Sequence, residues 1–287
     1  MRDTFGAMQP IVARKTWRTL EPIHGLVYFA PEATDAYAAL GVTGRSGYFA
    51  SRSAPMGPVT AEVVIATFFN FDPGLVRHAM DGVWDVTTPR ALLEARVAAA
   101  GAALRRAMGD ELAASPDVVD AATLARVAAE NACLHLSGKP LFAGHAALAW
   151  PEDPLLVLWH AQSLLREFRG DLHIAAMTVE GIDGCEALIT HAASGEINRQ
   201  VLQSSRAWPD DRWQAAVESL QQKGHLDADA NFTDKGRASR QWVEDRTDEW
   251  ALVAYEALGD DGCERLRALA RPLSKAVVAN GGLGFTQ

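Results

Sequence analysis

The feature that most constrains this fold is a helical periodicity, in which apolar residues recur every three or four positions along alanine-rich stretches. Residues 90–108 and 120–136 show it most clearly, and the spacing places their apolar side chains on one face of a helix. Strand signals are short and weak, at 26–29, at 63–65, where a helix fits equally well, and after Gly224. The sequence therefore predicts a mainly α-helical protein.

Local start and stop signals predict where further helices begin and end. Asp183 and Glu186 have the spacing of a capping box, and Asp153 with Pro154 begins a helix that Gly170 is expected to end. Similar signals delimit the remaining predicted helices, at 210–223, 233–258 and 261–279.

Length and composition narrow the class of protein. The length of 287 residues suits one large or two ordinary domains. Hydrophobic residues make up 48% of the chain, which is a larger fraction than a disordered chain contains. No apolar run reaches the roughly 18 residues of a membrane span, and the first 17 residues lack the apolar segment of a signal peptide. The three cysteines match no zinc-site spacing. We therefore expect a cytoplasmic protein without membrane association.

Two parts are predicted along the chain, a helical part at 1–172 and a second domain with C-terminal helices at 173–287. Within the first part, residues 48–58 resemble residues 141–151, with identical residues at four aligned positions. Chance and internal duplication both account for so short a match. Under duplication, two similar helical units would pack about a groove, with Arg52 and His145 at equivalent positions.

The segment 175–258 has the element order of a winged helix. Three predicted helices are followed by Gly224, a short turn and a long helix that Thr233 caps. Residues 225–227 and 230–232 are expected to pair as a small β-wing. The preceding helix has an apolar stripe with the spacing i, i+4 and i+7, formed by Trp213, Val217 and Leu220. This order resembles the MarR-type winged helix-turn-helix, which implies a recognition helix at 210–223.

The charge of this segment disfavours DNA binding. Residues 210–245 contain eight acidic and five basic residues, and the whole chain has a formal net charge of −9. A recognition helix needs cations for phosphates and polar side chains for base edges, whereas acidic residues near phosphates weaken binding. We therefore expect a scaffold for packing or dimerisation, with sequence-specific DNA recognition as the alternative.

The stretch 155–173, LLVLWHAQSLLREFRGDLH, combines an apolar helix with a dense set of ionisable residues. His160, Ser163 and Glu167 share one helix face, and buried charges there require partners. Three explanations remain open: a structural ion-pair network, a pocket in which Arg166 or Arg169 holds an anionic group, and acid–base catalysis. In the catalytic hypothesis His173 is the general base, oriented by Asp171 or Glu167.

Other motifs add little to the prediction of function. Arg52 begins a loop of small residues and is a candidate for receiving a carboxylate. His145, His160 and His173 match no metal-ligand spacing, so no metal site is predicted. Phosphate-binding loops, dinucleotide-binding glycine motifs and HExxH sequences do not occur, and the sequence identifies no cofactor.

Short segments distributed over the chain together resemble one protein family. The most specific of them is LLREFRGDLH at 164–173. The others are residues 21–24, 28–31, 47–55, 150–151, 158–159 and 232–236. The set is similar to a family of actinobacterial helix-turn-helix proteins of unassigned function. The resemblance implies an all-helical N-terminal part joined to a MarR-like winged helix, and it supplies no catalytic residues.

These observations favour a cytoplasmic, homodimeric protein that binds a small molecule in its N-terminal part. The winged helix would serve assembly or weak regulation. The alternatives are a ligand-responsive transcriptional regulator of MarR type and an enzyme that uses His173. The residues expected to line or brace the pocket are Arg52, His145, His160, Arg166, Glu167, Arg169, Asp171 and His173.

Overall fold

The computed structural model describes residues 8–195 and 197–281. Within these residues the chain forms sixteen α-helices and three short 3-10 helices, and its β-structure is limited to one isolated antiparallel bridge between Leu226 and Phe232. The prediction of a mainly α-helical protein is confirmed. None of the described helices has both the length and the hydropathy that a membrane span requires.

The α-helices follow one another with short connections. The first eight are α1 (Ile11–Gly25), α2 (Pro31–Ala39), α3 (Gly44–Ser53), α4 (Ala61–Phe68), α5 (Pro73–Met80), α6 (Val83–Val86), α7 (Pro89–Met108) and α8 (Asp110–Ala113). The other eight are α9 (Pro116–Ala132), α10 (Pro140–Ala146), α11 (Pro154–Val179), α12 (Gly184–Ala193), α13 (Arg199–Arg206), α14 (Asp210–Gln222), α15 (Asp234–Ala251) and α16 (Gly259–Asn280). The 3-10 helices are Leu26–Tyr28, Ala54–Met56 and Leu252–Tyr255.

The strand predicted at 26–29 is helical instead, and the run at 63–65, for which strand and helix are equally expected, is also helical. Residues 26–29, predicted as a strand, continue α1 as the 3-10 helix Leu26–Tyr28, and residues 63–65 lie within α4. A short apolar run has no periodicity that separates a strand from a buried helical turn. The structure resolves this ambiguity because Leu26 and Val27 are buried in the helical conformation.

The predicted end of a helix at Gly170 is wrong, because α11 continues through this residue to Val179. Glycine in a helix interior costs about 1 kcal/mol relative to alanine. Burial of an apolar side chain of the size of Leu or Phe contributes about 1.5–3 kcal/mol. Leu164, Leu165 and Phe168 before the glycine and Ala176 after it are buried, so packing of α11 outweighs the local cost.

The two segments predicted to form a β-wing pair through the single antiparallel bridge Leu226–Phe232, and no β-strand forms there among the described residues. The intervening turn is closed by Asp227, whose Oδ1 accepts hydrogen bonds from the backbone N–H groups of Asp229 and Asn231, both at 2.9 Å. Immediately after the bridge, Thr233 Oγ1 accepts from Gly236 N–H at 3.0 Å and caps α15. The turn and the cap leave too few residues between them for a ladder.

Contacts group the chain into two units, each built from separate segments. The first contains residues 1–58, 82–171 and 248–287, and the second contains residues 59–81 and 172–247. The predicted division at residues 172 and 173 into a helical part and a winged-helix domain stays a prediction.

In the first unit, α16 packs against α1, α7 and α9, and α7 also packs against α2 and α3. Three of these helices and α11 each contribute a fully buried leucine, namely Leu20, Leu104, Leu273 and Leu158. This unit provides an apolar setting in which any ionisable side chain needs a partner.

In the second unit, α12 packs against α13 and α14. The predicted capping box at the start of α12 is confirmed, and so is the buried stripe of Trp213, Val217 and Leu220 on α14. At the first residue of α12, a Cβ added to Gly184 would lie 1.9 Å from the backbone oxygen of Phe69. Only glycine therefore fits at this close approach of two segments.

Candidate functional site: a buried arginine cluster

Four elements of the first unit bring ionisable and aromatic side chains together around Tyr28. The 3-10 helix after α1 carries Tyr28, and α3 carries Arg52. Helix α7 carries Arg96, and α11 carries Arg166 and Glu167. We call these five residues the arginine cluster. His24 on α1 and His145 on α10 adjoin it.

Three guanidinium groups surround the ring of Tyr28. The Cζ atoms of Arg52, Arg96 and Arg166 lie 5.0, 5.4 and 5.7 Å from the ring centroid. A cation over an aromatic face gains about 0.5–2 kcal/mol, which offsets only part of the cost of removing a charge from water. Because arginine does not deprotonate in proteins, three positive charges are held within a small volume.

Glu167 is the buried carboxylate of the cluster. Its Oε1 and Oε2 accept hydrogen bonds from Arg166 Nη1 at 2.8 and 2.9 Å, and Arg52 Nη2 lies 4.0 Å from Oε1. Burial acts to raise the pKa of Glu167, but the positive charges of Arg166 and Arg52 outweigh it and the pKa is lowered. Glu167 is therefore ionised at neutral pH and compensates one of the three arginines.

Arg166 has a second acidic neighbour. Its Nε lies 3.6 Å from Oε1 of Glu21, whose side chain is 30% exposed. Burial raises the pKa of Glu21, while the charge of Arg166 acts in the opposite direction. Arg166 is thus flanked by two carboxylates.

Arg96 differs from the other two arginines. It is 2% exposed, and its Nη2 makes a long hydrogen bond of 3.5 Å to the Tyr28 hydroxyl. Its guanidinium also lies 5.7 Å from the Trp159 ring. The described residues provide no hydrogen-bond acceptor for its Nε and Nη1. Burial acts to lower the pKa of Arg96, but Tyr28 and the charge of Glu167 outweigh it and the pKa is raised. A buried charge in this condition is costly, and it is the feature of the cluster that most requires an explanation.

His24 orients Tyr28. The Ser163 hydroxyl donates to the carbonyl oxygen of Trp159 at 2.8 Å, so its oxygen accepts from His24 Nδ1 at 2.7 Å. Burial, followed by the positive charges of Arg166 and Arg96, holds the pKa of His24 well below its ordinary value, and the imidazole is neutral. Its Nε2 must then accept from the Tyr28 hydroxyl at 2.7 Å. The phenol proton is directed to His24, and the phenol oxygen presents lone pairs to Arg96.

His145 and His160 are also buried and neutral. Burial is the main cause that lowers the pKa of His145 to about 3 and that of His160 to about 4. In the part of the chain that the structure describes, Nε2 of each ring has no hydrogen-bond partner. The described residues contain no group of three or more His, Cys, Asp and Glu side chains arranged to hold a metal ion.

Of the predicted site residues, Arg52, Arg166 and Glu167 come together in the cluster, with His145 beside them. His145 is close enough to Arg52 for the arginine charge to contribute to its lowered pKa. Arg52 and His145 are also the pair that the similar segments at 48–58 and 141–151 align. His160 lies on α11, the helix that also carries Arg166 and Glu167. The centroid of its ring is 4.8 Å from that of Trp150, in an edge-on contact.

The other three predicted residues are engaged elsewhere. Arg169 Nη1 lies 2.7 Å from Asp248 Oδ1. Asp171 accepts a hydrogen bond from Phe142 N–H in the first turn of α10 at 3.1 Å. His173 belongs to the second unit, where its Nδ1 lies 3.0 Å from Thr247 Oγ1. These partners favour structural roles over acid–base catalysis, and binding or catalytic roles for the three residues stay proposals.

Sequence reasoning missed Arg96 and Tyr28. One signal for Arg96 was present, because Leu92, Arg96, Ala99 and Ala103 have the spacing i, i+4, i+7 and i+11 and form the buried stripe of α7. A charged residue within an apolar stripe is a candidate for a functional role. The link to Tyr28 had no signal in the sequence.

A cleft of about 360 Å³ also lies in the first unit. None of the predicted site residues lines it. Its lining comprises Arg105, Asp110, Ala113, Ala114, Ser115, Val118, Val119, Asp153 and Pro154.

In the second unit, α12, α13 and α14 precede the turn at residues 224–233 and α15, which is the element order expected for a helix-turn-helix segment. On α14, Asp210, Asp211 and Glu218 are exposed, and Arg212 is an exposed cation. Lys223 lies just after this helix, but its Nζ is 2.6 Å from Oε1 of the buried Glu186. The surface of the predicted recognition helix is therefore acidic.

The comparisons with known proteins agree with this element order. A family model described as a helix-turn-helix family matches residues 13–284. The chain belongs to this helix-turn-helix family. The match confirms the predicted kind of family, while its MarR-like and actinobacterial character stay predictions. No curated protein and no solved structure matches the chain.

Membership of the helix-turn-helix family does not assign a role to the arginine cluster. A fold or family supports many functions, and function has to be argued from the chemistry of a site. In this helix-turn-helix protein the match also spans the first unit, so the cluster residues fall within the family region.

Proposed function

We propose that this helix-turn-helix protein binds a small anionic molecule at the arginine cluster. The observation that carries the proposal is Arg96, a buried guanidinium whose Nε and Nη1 lack an acceptor among the described residues. An anionic group that binds there would supply the missing charge and accept hydrogen bonds from both nitrogens. Charge-assisted hydrogen bonds of this kind are about twice as strong as neutral ones.

A purely structural role explains Arg52 and Arg166 better than it explains Arg96. Arg166 has Glu167 and Glu21 as partners, and Arg52 donates to the Tyr48 hydroxyl at 2.6 Å. Breaking such interactions would leave charges without compensation, which is strongly destabilising. Arg96 has one long hydrogen bond and two aromatic rings, which do not balance its charge. A binding role accounts for keeping an arginine at this position.

We further propose that the helix-turn-helix segment serves assembly or regulation rather than DNA recognition. The exposed Asp210, Asp211 and Glu218 would face phosphates in a winged-helix complex, where each negative charge opposes binding. Lys223 is held by Glu186 and by the backbone oxygen of Gly181 at 2.7 Å. A homodimer is the assembly that this proposal implies.

The second candidate is a ligand-responsive regulator of MarR type. Two observations favour it, namely the family match and the order of α12, α13, α14, the turn and α15. In that case an anion at the cluster would change the affinity for one DNA sequence. The two candidates differ in whether any DNA sequence is bound much more tightly than random DNA.

The test of anion binding uses the full chain and two variants on the same helix. Thermal unfolding is followed with acetate, benzoate, phenyl phosphate and inorganic phosphate as probes. Arg96→Met removes the buried charge, and Arg90→Met is the matched control because Arg90 is 88% exposed. We expect at least one probe to stabilise the wild type and Arg90→Met, and not Arg96→Met. Equal responses of all three proteins, or no response to any probe, would contradict the proposal.

The test of DNA recognition is selection from a random-sequence duplex library, followed by fluorescence anisotropy on any enriched sequence. A specific regulator binds its site about 10³–10⁷ times more tightly than random DNA. We expect no enriched sequence with such a ratio, with or without the anionic probes. An enriched sequence whose affinity changes with a probe would establish the MarR-type alternative instead.

A further inference from the structure

We propose that the cleft in the first unit binds an α-amino acid with an apolar side chain. The site is separate from the arginine cluster, because none of the cluster residues lines the cleft. Support for it comes from the size of the cleft, from its apolar wall and from three polar side chains of the lining, Arg105, Asp110 and Ser115.

The size and the apolar wall of the cleft suit a small organic molecule. Its volume of about 360 Å³ lies within the range of about 300–1,000 Å³ that is usual for small-molecule sites. Val118 of the wall is buried, whereas Val119 is 46% exposed. A ligand that covers Val119 removes apolar surface from water. The other apolar residues of the wall are Ala113, Ala114 and Pro154.

Arg105 is the cation of the lining, and its neighbours fix the position of its side chain. Its Nη2 donates to Asp153 Oδ2, while Asp153 Oδ1 accepts from Leu155 N–H at 2.9 Å. Gly101 lies one turn earlier on α7, and a Cβ added there would lie 3.0 Å from Arg105 Nη1 and 3.3 Å from Leu156 Cδ2. Glycine destabilises a helix interior relative to alanine. Its presence here keeps space for the guanidinium.

Ser115 and the start of α9 provide a place for a ligand carboxylate. Ser115 is the N-cap residue of α9 and has an extended backbone, with φ −69° and ψ 154°, but its side chain makes no cap hydrogen bond. Its Oγ is buried and has no hydrogen-bond partner among the described residues. The first backbone N–H groups of a helix need an acceptor from outside the helix, and an N-cap side chain usually supplies it. A ligand carboxylate would take this role.

The same carboxylate would accept from Ser115 and from Arg105. A guanidinium has five N–H donors, and within the described chain the hydrogen bond of Arg105 to Asp153 uses one nitrogen, Nη2. Its other donors are available to a ligand. Hydrogen bonds between a guanidinium and a carboxylate are among the strong ones, because both groups are charged.

Asp110 provides the opposite charge for a ligand ammonium group. It is exposed, and among the described residues no hydrogen bond or ion pair engages its carboxylate. Asp153, the other acid of the lining, is engaged by Arg105 and by Leu155 N–H. A positive group in the cleft would therefore bind beside Asp110.

A zwitterion fits this lining better than either simple ion. An anion would lie near two aspartates with one arginine to attract it. A cation would leave the start of α9 without an acceptor, where the helix dipole favours negative charge. A zwitterion places each of its charges beside an opposite one. An α-amino acid combines this charge pair with a side chain for the apolar wall.

The experiment uses leucine and two analogues that each lack one of its charges. 3-Methylbutylamine lacks the carboxylate, and 4-methylpentanoate lacks the ammonium group. Phenylalanine, phenethylamine and 3-phenylpropionate repeat the series with an aromatic side chain. Binding to the full chain is measured by isothermal titration calorimetry, for the wild type and for Arg96→Met, which alters the arginine cluster and leaves the lining of the cleft unchanged.

We expect at least one of the two amino acids to bind at least tenfold more tightly than both of its analogues, and with equal affinity to the wild type and to Arg96→Met. Binding of an analogue as tightly as its amino acid overturns the proposal, and so does the absence of binding by both amino acids. Loss of binding in Arg96→Met also overturns it, because the amino acid would then occupy the arginine cluster.

Two variants with a matched control test the polar groups of the lining. Ser115→Ala removes a hydroxyl that makes no cap hydrogen bond, and Asp110→Asn neutralises an exposed acid, so both should fold normally. Asp117→Asn is the control, because Asp117 is exposed in the first turn of α9 and does not line the cleft. We expect each of the first two variants to weaken amino-acid binding at least tenfold and the control to leave it unchanged. Unchanged binding in either Ser115→Ala or Asp110→Asn overturns the proposal.

Discussion

Arg96 donates a hydrogen bond of 3.5 Å to the hydroxyl oxygen of Tyr28, a residue 68 positions away in the chain. Among the described residues this is the acceptor that the Arg96 guanidinium finds, and Tyr28 is held in place by His24. The contact joins α7 to the 3-10 helix after α1. It lies at the centre of a site in which two buried nitrogens of Arg96 have no acceptor among the described residues.

The first prediction concerns the stability of the protein without ligand. We expect the free energy of unfolding of Arg96→Met to exceed that of the wild type by about 1–4 kcal/mol, because an apolar side chain replaces a buried guanidinium whose Nε and Nη1 have no acceptor among the described residues. The measurement is urea denaturation in a buffer without carboxylates or phosphates. Arg90→Met should stay within about 0.5 kcal/mol of the wild type. A clear loss of stability in Arg96→Met would indicate that the arginine is structural.

The second prediction concerns the stability of the folded protein at acidic pH. The pKa of His24, His145 and His160 in the folded chain lies below the ordinary 6.5, so the stability that they contribute is fully present above pH 6.5 and is lost as the pH falls. Each histidine lowers the free energy of unfolding by about 1.4 kcal/mol for each pH unit by which the pH falls in this range. We expect the free energy of unfolding to fall steeply from pH 6.5 toward pH 4, the latter being about the pKa of His160.

Asp171 makes the free energy of unfolding change with pH in the opposite direction over part of this range. Burial raises its pKa from 3.8 to about 6, so its contribution to stability is greatest below pH 3.8 and is lost as the pH rises through 6. One aspartate offsets only part of the effect of three histidines. The check is urea denaturation at several pH values for the wild type and His160→Gln, with the exposed His78→Gln as the control. An unchanged pH slope in His160→Gln would contradict the assignment.

The third prediction compares two glycines. Gly184→Ala places a Cβ 1.9 Å from the backbone oxygen of Phe69, so we expect a loss of several kcal/mol or failure to fold. Gly25→Ala adds the same methyl group in a helical conformation with nothing within 4 Å. It should stabilise the protein by about 0.4–1 kcal/mol. Thermal unfolding of both variants measures the difference, and equal effects would refute the close approach at Gly184.

The fourth prediction concerns the acidic face of α14. For the wild type we expect a dissociation constant for random duplex DNA that is weaker than about 10⁻⁶ M at about 150 mM salt. Replacing Asp210, Asp211 and Glu218 by Lys should tighten binding at least tenfold and steepen its salt dependence, since each new phosphate contact adds about 0.9 to the slope. Anisotropy titrations at several salt concentrations give both quantities. If the triple variant binds no better, α14 does not face DNA in any complex.

Several elements could be predicted from the sequence because their signals are local. The alanine-rich periodicity located α7 and α9, and the spacing of Asp183 and Glu186 located the capping box of α12. Trp213 and Leu220 were identified as buried on α14 for the same reason. Hydrogen bonds within a helix and contacts between residues three and four positions apart depend only on nearby sequence.

Other elements could not be predicted because distant packing outweighed local preference. Gly170 has a strong local tendency to end a helix, yet burial along α11 carries the helix to Val179. The predicted wing is limited to one bridge because the Asp227 turn and the Thr233 cap leave few residues between them for a ladder.

For the site, the sequence indicated that Glu167 and Arg166 would be buried, since they lie in an apolar helix, and that their charges would therefore need partners. The position of Arg96 within the apolar stripe of α7 was a signal that sequence reasoning missed, because a single arginine on an alanine-rich helix is also compatible with an exposed position. The difference between Arg166 and Arg96 lies in which carboxylates reach them, and Glu21 and Glu167 reach only Arg166 closely.

The amino-acid sequence by itself determined that this chain is helical and where several of its helices begin. It also determined that ionisable side chains lie in an apolar interior. These properties follow from interactions between neighbours along the chain. The tertiary structure alone decided that Tyr28 meets three guanidinium groups and that Nε and Nη1 of Arg96 find no acceptor among the described residues. Charge compensation depends on distances across the folded core, which no spacing along the chain encodes.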